Sequence, residues 1–91
     1  MKNSFYFLIN NNFNYEEIDS IMKSITNLYG KYDYQIKTIN DKFINDLIEQ
    51  NMDHEAGIAK TSKYFIFSEN IPFELTGIIE KKLNAHYLRK Q

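Results

Sequence analysis

The chain has 91 residues, of which 43% are hydrophobic and 25% charged, and its formal net charge is −1. This length and composition predict one compact domain over residues 1–91, with a small core. A net charge this close to zero argues against a strongly basic DNA-wrapping protein and equally against a heavily acidic DNA mimic.

Residue usage is biased towards amino acids with A/T-rich codons. Phe, Tyr, Met, Ile, Asn and Lys make up 51 of the 91 residues, and valine is absent. The bias indicates an A+T-rich genome, such as that of a low-GC bacterium or its phages and mobile elements. Cysteine is also absent, which favours a cytoplasmic location. No stretch approaches the roughly 20 apolar residues of a membrane span.

The first two segments predict a central strand and an amphipathic helix. Residues 4–10 are aromatic or branched without alternation, which is typical of a strand covered on both faces. In residues 14–30, Asn14 is a natural N-cap, Glu17 can complete a capping box, and Gly30 can end the helix. The apolar positions of this helix share one arc: Ile18, Ile21, Met22, Ile25, Leu28 and Tyr29.

A second strand and a second helix are expected next. Residues 32–39 alternate in polarity, which predicts a half-exposed strand with Tyr32, Tyr34 and Ile36 on one face. Residues 40–52 predict a weaker helix. Its apolar side consists of Phe43, Ile44, Leu47 and Ile48.

The last third of the chain contains one ambiguous segment and two clearer ones. Residues 53–62 are mostly small or polar, so they predict either a loop or a short strand around Ile58. Residues 63–68 predict a strand. Pro72 can open a final helix that continues towards the C-terminus. The core stripe of this helix is Leu75, Ile79, Leu83 and Tyr87.

The predicted element order is β-α-β-α-(β)-β-α. This order indicates an α+β fold of the two-layer α/β sandwich type. We expect a small mixed sheet of three or four strands, with about three helices packed mostly on one face.

The sequence offers little for catalysis or cofactor binding. Its three separate glycines cannot form a phosphate-binding loop, which argues against the familiar nucleotide enzymes. With no cysteine, two histidines and little space for a pocket, we expect neither a cofactor nor an enzyme activity. Asp53, His54 and Glu55 form a dense titratable cluster, but Ile58 stands where a zinc-protease motif needs its second histidine. We therefore expect no metal or catalytic residue there, and we expect His86 to pack at the edge of the last helix.

Aromatic residues in two predicted strands suggest a nucleic-acid alternative. Residues 5–7 and 64–67 are rich in Phe and Tyr, and RNA-recognition sheets stack bases on such side chains. The glycine-containing pattern of those domains and their βαββαβ order are both absent from the predicted elements. A small RNA- or DNA-binding module, using this sheet face and a basic C-terminal helix, is the alternative function.

Positive charge gathers in the second part of the chain. Residues 54–91 carry a net charge of +2, against −3 for residues 1–53. On the predicted last helix, Lys81, Lys82 and Arg89 form a basic stripe that can meet an acidic protein surface. These three residues are the predicted partner-binding site.

These features together favour a binding protein over an enzyme. Phe and Tyr are abundant, and aromatic residues commonly anchor protein interfaces. Short length and A+T bias resemble those of the short accessory proteins of phages and mobile elements. We expect a non-enzymatic protein that inhibits or modulates a host protein of a defence or toxin system.

Overall fold

The computed structural model describes residues 4–10 and 12–88. It confirms the predicted α+β class: one sheet is packed against several short helices. In chain order the elements are β1 (Phe5–Ile9), α1 (Tyr15–Tyr29), β2 (Gln35–Thr38), α2 (Asp41–Glu49), α3 (Asp53–Lys60), β3 (Tyr64–Ser68), a 3₁₀ turn (Phe73–Leu75), α4 (Thr76–Leu83) and β4 (Ala85–Leu88).

The four strands form one sheet in the order β2-β3-β1-β4, and every pairing is antiparallel rather than mixed. At its centre, Phe7 of β1 lies between Ile66 of β3 and Tyr87 of β4. Without α2 and α3 the element order is β-α-β-β-α-β, the order of ferredoxin-like folds. The prediction that this order is absent was wrong, because residues 85–88, expected to continue the last helix, form β4.

Both faces of β1 are buried, as its unbroken apolar sequence predicts. Phe5, Phe7 and Ile9 belong to a core cluster that includes residues of α1 and α4. Leu8 points to the opposite face and belongs to a second cluster with residues of α2 and α3. The helix pair α2–α3 therefore covers part of the face that α1 and α4 leave open.

Helix α1 begins as predicted but is less buried at its end. The Glu17 backbone N–H donates to Asn14 Oδ1 at 2.8 Å, and the Asn14 N–H donates to Glu17 Oε1 at 3.1 Å, which completes the capping box. Gly30 ends the helix with φ of 124°, a value that L side chains rarely adopt. The prediction that Leu28 and Tyr29 face the core was wrong, since they are 77% and 49% exposed.

The segment predicted as a loop or short strand is helix α3. Alanine is the best helix former, and Ala56 and Ala59 are buried on one side of α3. Their small side chains carry little of the polarity contrast by which a helix is detected in a sequence. Asn51, with φ of 61°, allows the sharp turn that separates α3 from α2.

The last predicted helix is shorter than expected. It ends at Leu83 because Asn84 adopts the left-handed conformation, with φ of 50° and ψ of 44°. The chain then reverses into β4. His86 and Tyr87 are therefore strand residues, whereas Leu75, Ile79 and Leu83 are buried as predicted.

The difference in burial along α1 gives a direct test of the core. Ile25→Ala removes a buried side chain and should cost about 2–5 kcal/mol of unfolding free energy. Leu28→Ala removes an exposed one and should cost less than about 0.5 kcal/mol. Urea denaturation of both variants measures the two values, and equal losses would contradict the packing described for α1.

The conformation of Asn84 gives a second test. Asn84→Gly should preserve stability, because glycine adopts positive φ freely, whereas Asn84→Ala should cost about 1–2 kcal/mol. For a domain of this size, that loss lowers the Tm by roughly 4–15 °C. Asn45→Ala, at an exposed position within α2, is the matched control and should leave the Tm unchanged or slightly raised, because alanine is the better helix former. An alanine tolerated equally at both positions would show that Asn84 does not set the end of α4.

Candidate protein interface

Two of the three predicted partner-binding residues lie on α4. Lys81 and Lys82 are exposed in its last turn, and Arg89 lies outside the described residues. The prediction that these residues form a stripe along a single helix was wrong, because α4 ends at Leu83 and residues 85–88 are extended. The partner-binding role of Lys81, Lys82 and Arg89 stays a prediction.

Lys82 lines a groove between α1 and α4. The groove encloses about 270 Å³, and Ile78 joins Lys82 on its α4 side. The α1 side of the groove is lined by Ser20, Ile21, Ser24, Ile25, Leu28 and Tyr29. We call this set of residues the α1–α4 surface.

The exposed apolar side chain of Leu28 is explained by its position around α1. Leu28 lies seven residues after Ile21, so both fall on the same edge of the helix, beside the buried stripe. Ile21 is half-buried at the core, whereas Leu28 projects from the helix. The apolar arc of α1 is therefore wider than its contact with the core. The arc is visible in the sequence, but helical periodicity alone assigns all of its residues to the core.

The charges around the α1–α4 surface are unevenly placed. Among the described residues lining the groove, Lys82 is the charged one, and Ser20 and Ser24 supply neutral hydroxyls. A shallower depression shares Ser20 with the groove and extends it towards Glu16 and Glu17 at the start of α1. The surface therefore has an apolar middle, a basic end on α4 and an acidic end on α1.

The aromatic sheet face predicted as a base-stacking platform is largely occupied. Phe5 and Phe7 face the core beneath α1 and α4. On the other face, the ring of Phe43 from α2 stacks on Phe65 with centroids 4.3 Å apart, so that Phe65 is only 8% exposed. The α2–α3 pair therefore covers part of this face, on which Tyr6 and Phe67 are half-buried.

The titratable cluster is on a helix rather than in a loop. Asp53, His54 and Glu55 form the first turn of α3. His86 on β4 lies beside it, with its ring centroid 6.2 Å from that of His54. Within residues 4–10 and 12–88, no group of three or more His, Cys, Asp or Glu side chains is arranged to hold a metal ion.

A polar contact joins α1 to the loop before β2. The Tyr34 hydroxyl donates to Asp19 Oδ1 at 2.6 Å, and Lys23 Nζ lies 2.9 Å from Asp19 Oδ2. The hydrogen bond from Tyr34, and then the one from Lys23, hold the pKa of Asp19 below its usual value. Burial, together with the hydrogen bond to Asp19, raises the pKa of Tyr34. These shifts arise from a contact that stabilises the fold.

Tyr34→Phe should reduce the free energy of unfolding by about 1 kcal/mol at pH 7, since the lost hydrogen bond goes to a charged but partly solvated carboxylate. Because the folded-state pKa of Asp19 is lowered, its stabilisation is present above the unfolded pKa and is lost as pH falls. The difference in unfolding free energy between Tyr34→Phe and wild type should therefore become smaller below about pH 4. Tyr32→Phe, whose hydroxyl donates to the Tyr29 carbonyl, is the control. Chemical denaturation at pH 7 and pH 3 measures this difference. An equal loss of unfolding free energy for Tyr34→Phe at both pH values would contradict the role given to Asp19.

None of the described helices combines the length and the apolar character that a membrane span requires. Comparisons of the chain with protein-family models, with curated proteins and with solved structures find no match.

Proposed function

We propose that this chain is a non-enzymatic binding protein whose α1–α4 surface docks on another protein and inhibits or modulates it. The observation that supports this most is the position of Leu28, a large apolar side chain that is 77% exposed at the mouth of a groove. Tyr29 lies next to it and is half exposed. A projecting apolar pair beside a concavity is typical of a protein-binding surface.

The chemistry of the groove supports a partner of a particular kind. Its floor, which includes Ile21 and Ile78, suits an apolar side chain of the partner. Lys82 in the lining, with Lys81 next to it in the same turn, suits a carboxylate flanking that side chain. The partner therefore presents an apolar anchor with acidic residues beside it, as in the acidic surface predicted from the sequence.

A protein of this size can act by covering a working surface. A standard interface buries about 800 Å² on each partner, which is roughly one eighth of this molecule's 6081 Å². Together with the A+T-rich composition, this favours a phage or mobile-element protein that occludes a host defence or toxin protein.

Four variants test the proposal. Leu28→Ala and Lys82→Glu change the α1–α4 surface, while Ile48→Ala and Lys37→Glu change an exposed isoleucine and an exposed lysine elsewhere. Immobilised wild type and controls should retain the same protein from the source cell, and the first two variants should lose it. With that protein purified, Lys82→Glu should weaken binding by about 1–3 kcal/mol if the contact is partly desolvated, mainly through slower association.

The controls and the nucleic-acid alternative decide the outcome. If Leu28→Ala and Lys82→Glu bind the partner as wild type does while Ile48→Ala or Lys37→Glu does not, the working surface lies on α2 or β2. Binding of a random oligonucleotide that weakens steeply between 50 and 200 mM salt would indicate a phosphate contact instead. Loss of that binding in Lys82→Glu would overturn the proposal of a protein partner.

A further inference from the structure

The fold brings together the only two histidines of the chain. His54 is in the first turn of α3 and His86 is in β4, 32 residues later in the sequence. Their ring centroids are 6.2 Å apart, and the rings are nearly perpendicular, at 78°. Two separate elements therefore present one imidazole each to the same place.

The positions of both residues follow from the packing of α3 on the sheet. His86 pairs with Leu8 in the register of β4 with β1, and it shares the sheet face that bears Leu88. Helix α3 approaches that face through Ala56 and Ala59, whose small side chains allow a close approach. His54 is exposed and His86 is half-buried, so an ion can reach both rings from solvent.

We propose that His54 and His86 form a two-histidine site for a divalent transition metal of the Zn²⁺ or Cu²⁺ type. Imidazole nitrogens bind these ions at about 2.0–2.1 Å, so two rings on one tetrahedral ion have centroids roughly 5 Å apart, and a wider ligand angle separates them by up to about 6.5 Å. The observed 6.2 Å is about 1 Å longer than the tetrahedral value, and rotation of the exposed His54 side chain can shorten it. Two protein ligands leave further coordination positions to water, so the site is open and exchangeable rather than a closed structural centre.

The proposal replaces the expectation that the cluster around His54 binds no metal. That expectation depended on the missing second histidine of the zinc-protease motif, where Ile58 stands. The second ligand comes from another element, β4, and sequence spacing cannot show it. An ion held by both rings would connect the inserted helix α3 to the edge strand of the sheet.

Calorimetric titration with Zn²⁺ tests the site. Wild type should bind one ion, and His54→Ala and His86→Ala should each weaken binding by at least about tenfold, since even loss of an outer-shell partner commonly costs 10–100-fold. At a zinc concentration ten times the Kd, the wild-type Tm should rise by about 5–10 °C. The exposed surface variant Lys60→Ala, on the same helix, is the control and should bind zinc as wild type does.

Zinc affinity unchanged in both histidine variants would overturn the proposal, and so would the absence of binding by wild type at 1 mM Zn²⁺. Should His86→Ala fail to fold, His54→Ala still decides the matter, because His54 is exposed and its loss leaves the core intact. Leu28→Ala and Lys82→Glu should bind zinc normally, because α1 and α4 pack on the opposite face of the sheet. Failure of the metal site is thereby distinguishable from failure of the proposed protein interface.

Discussion

Strand β1 is buried on both faces, and the arrangement of the helices follows from this constraint. A strand with Phe5, Phe7 and Ile9 on one side and Leu8 on the other needs apolar cover on each side. The β-α-β-β-α-β order alone places α1 and α4 on one face. The helix pair α2–α3, inserted between β2 and β3, covers part of the other face and is held there by the stacking of Phe43 on Phe65.

The position of the helix pair α2–α3 on the second face of the sheet has consequences for function. It buries Phe65, one of the aromatic side chains that a nucleic-acid platform would have to expose, and it brings His54 next to His86. It also leaves the outer side of α1 and α4 as the place where a large apolar side chain meets a groove. In this account, protein binding and metal binding are assigned to opposite faces of the sheet.

Strong local signals made some elements predictable from sequence. The capping box of α1 and the unbroken apolar run of β1 are local sequence patterns that predict a helix start and a buried strand, and both predictions are confirmed. Helix α3 and strand β4 were missed because their structure depends on long-range packing. Both are preceded by an asparagine at positive φ, Asn51 and Asn84, a conformation more often taken by glycine. In a sequence with 11 asparagines and three glycines, such turn signals are hidden by codon bias.

The proposed interface is visible in the sequence only in part. The sequence points to Lys81 and Lys82 because like charges are visible in a sequence, whereas helical periodicity assigns Leu28 to the core, which the structure contradicts. Whether an apolar residue at the edge of a stripe is buried depends on what lies beside the helix, and no local pattern contains that information.

Hydrogen–deuterium exchange of the chain, free and bound to its protein partner, tests the central claim most directly. Amides of the second half of α1 and of α4 should exchange more slowly in the complex, and those of α2 and α3 should be unchanged. Protection confined to α2, α3 or β2, with α1 and α4 unaffected, would contradict the assignment of the α1–α4 surface as the working surface of this protein.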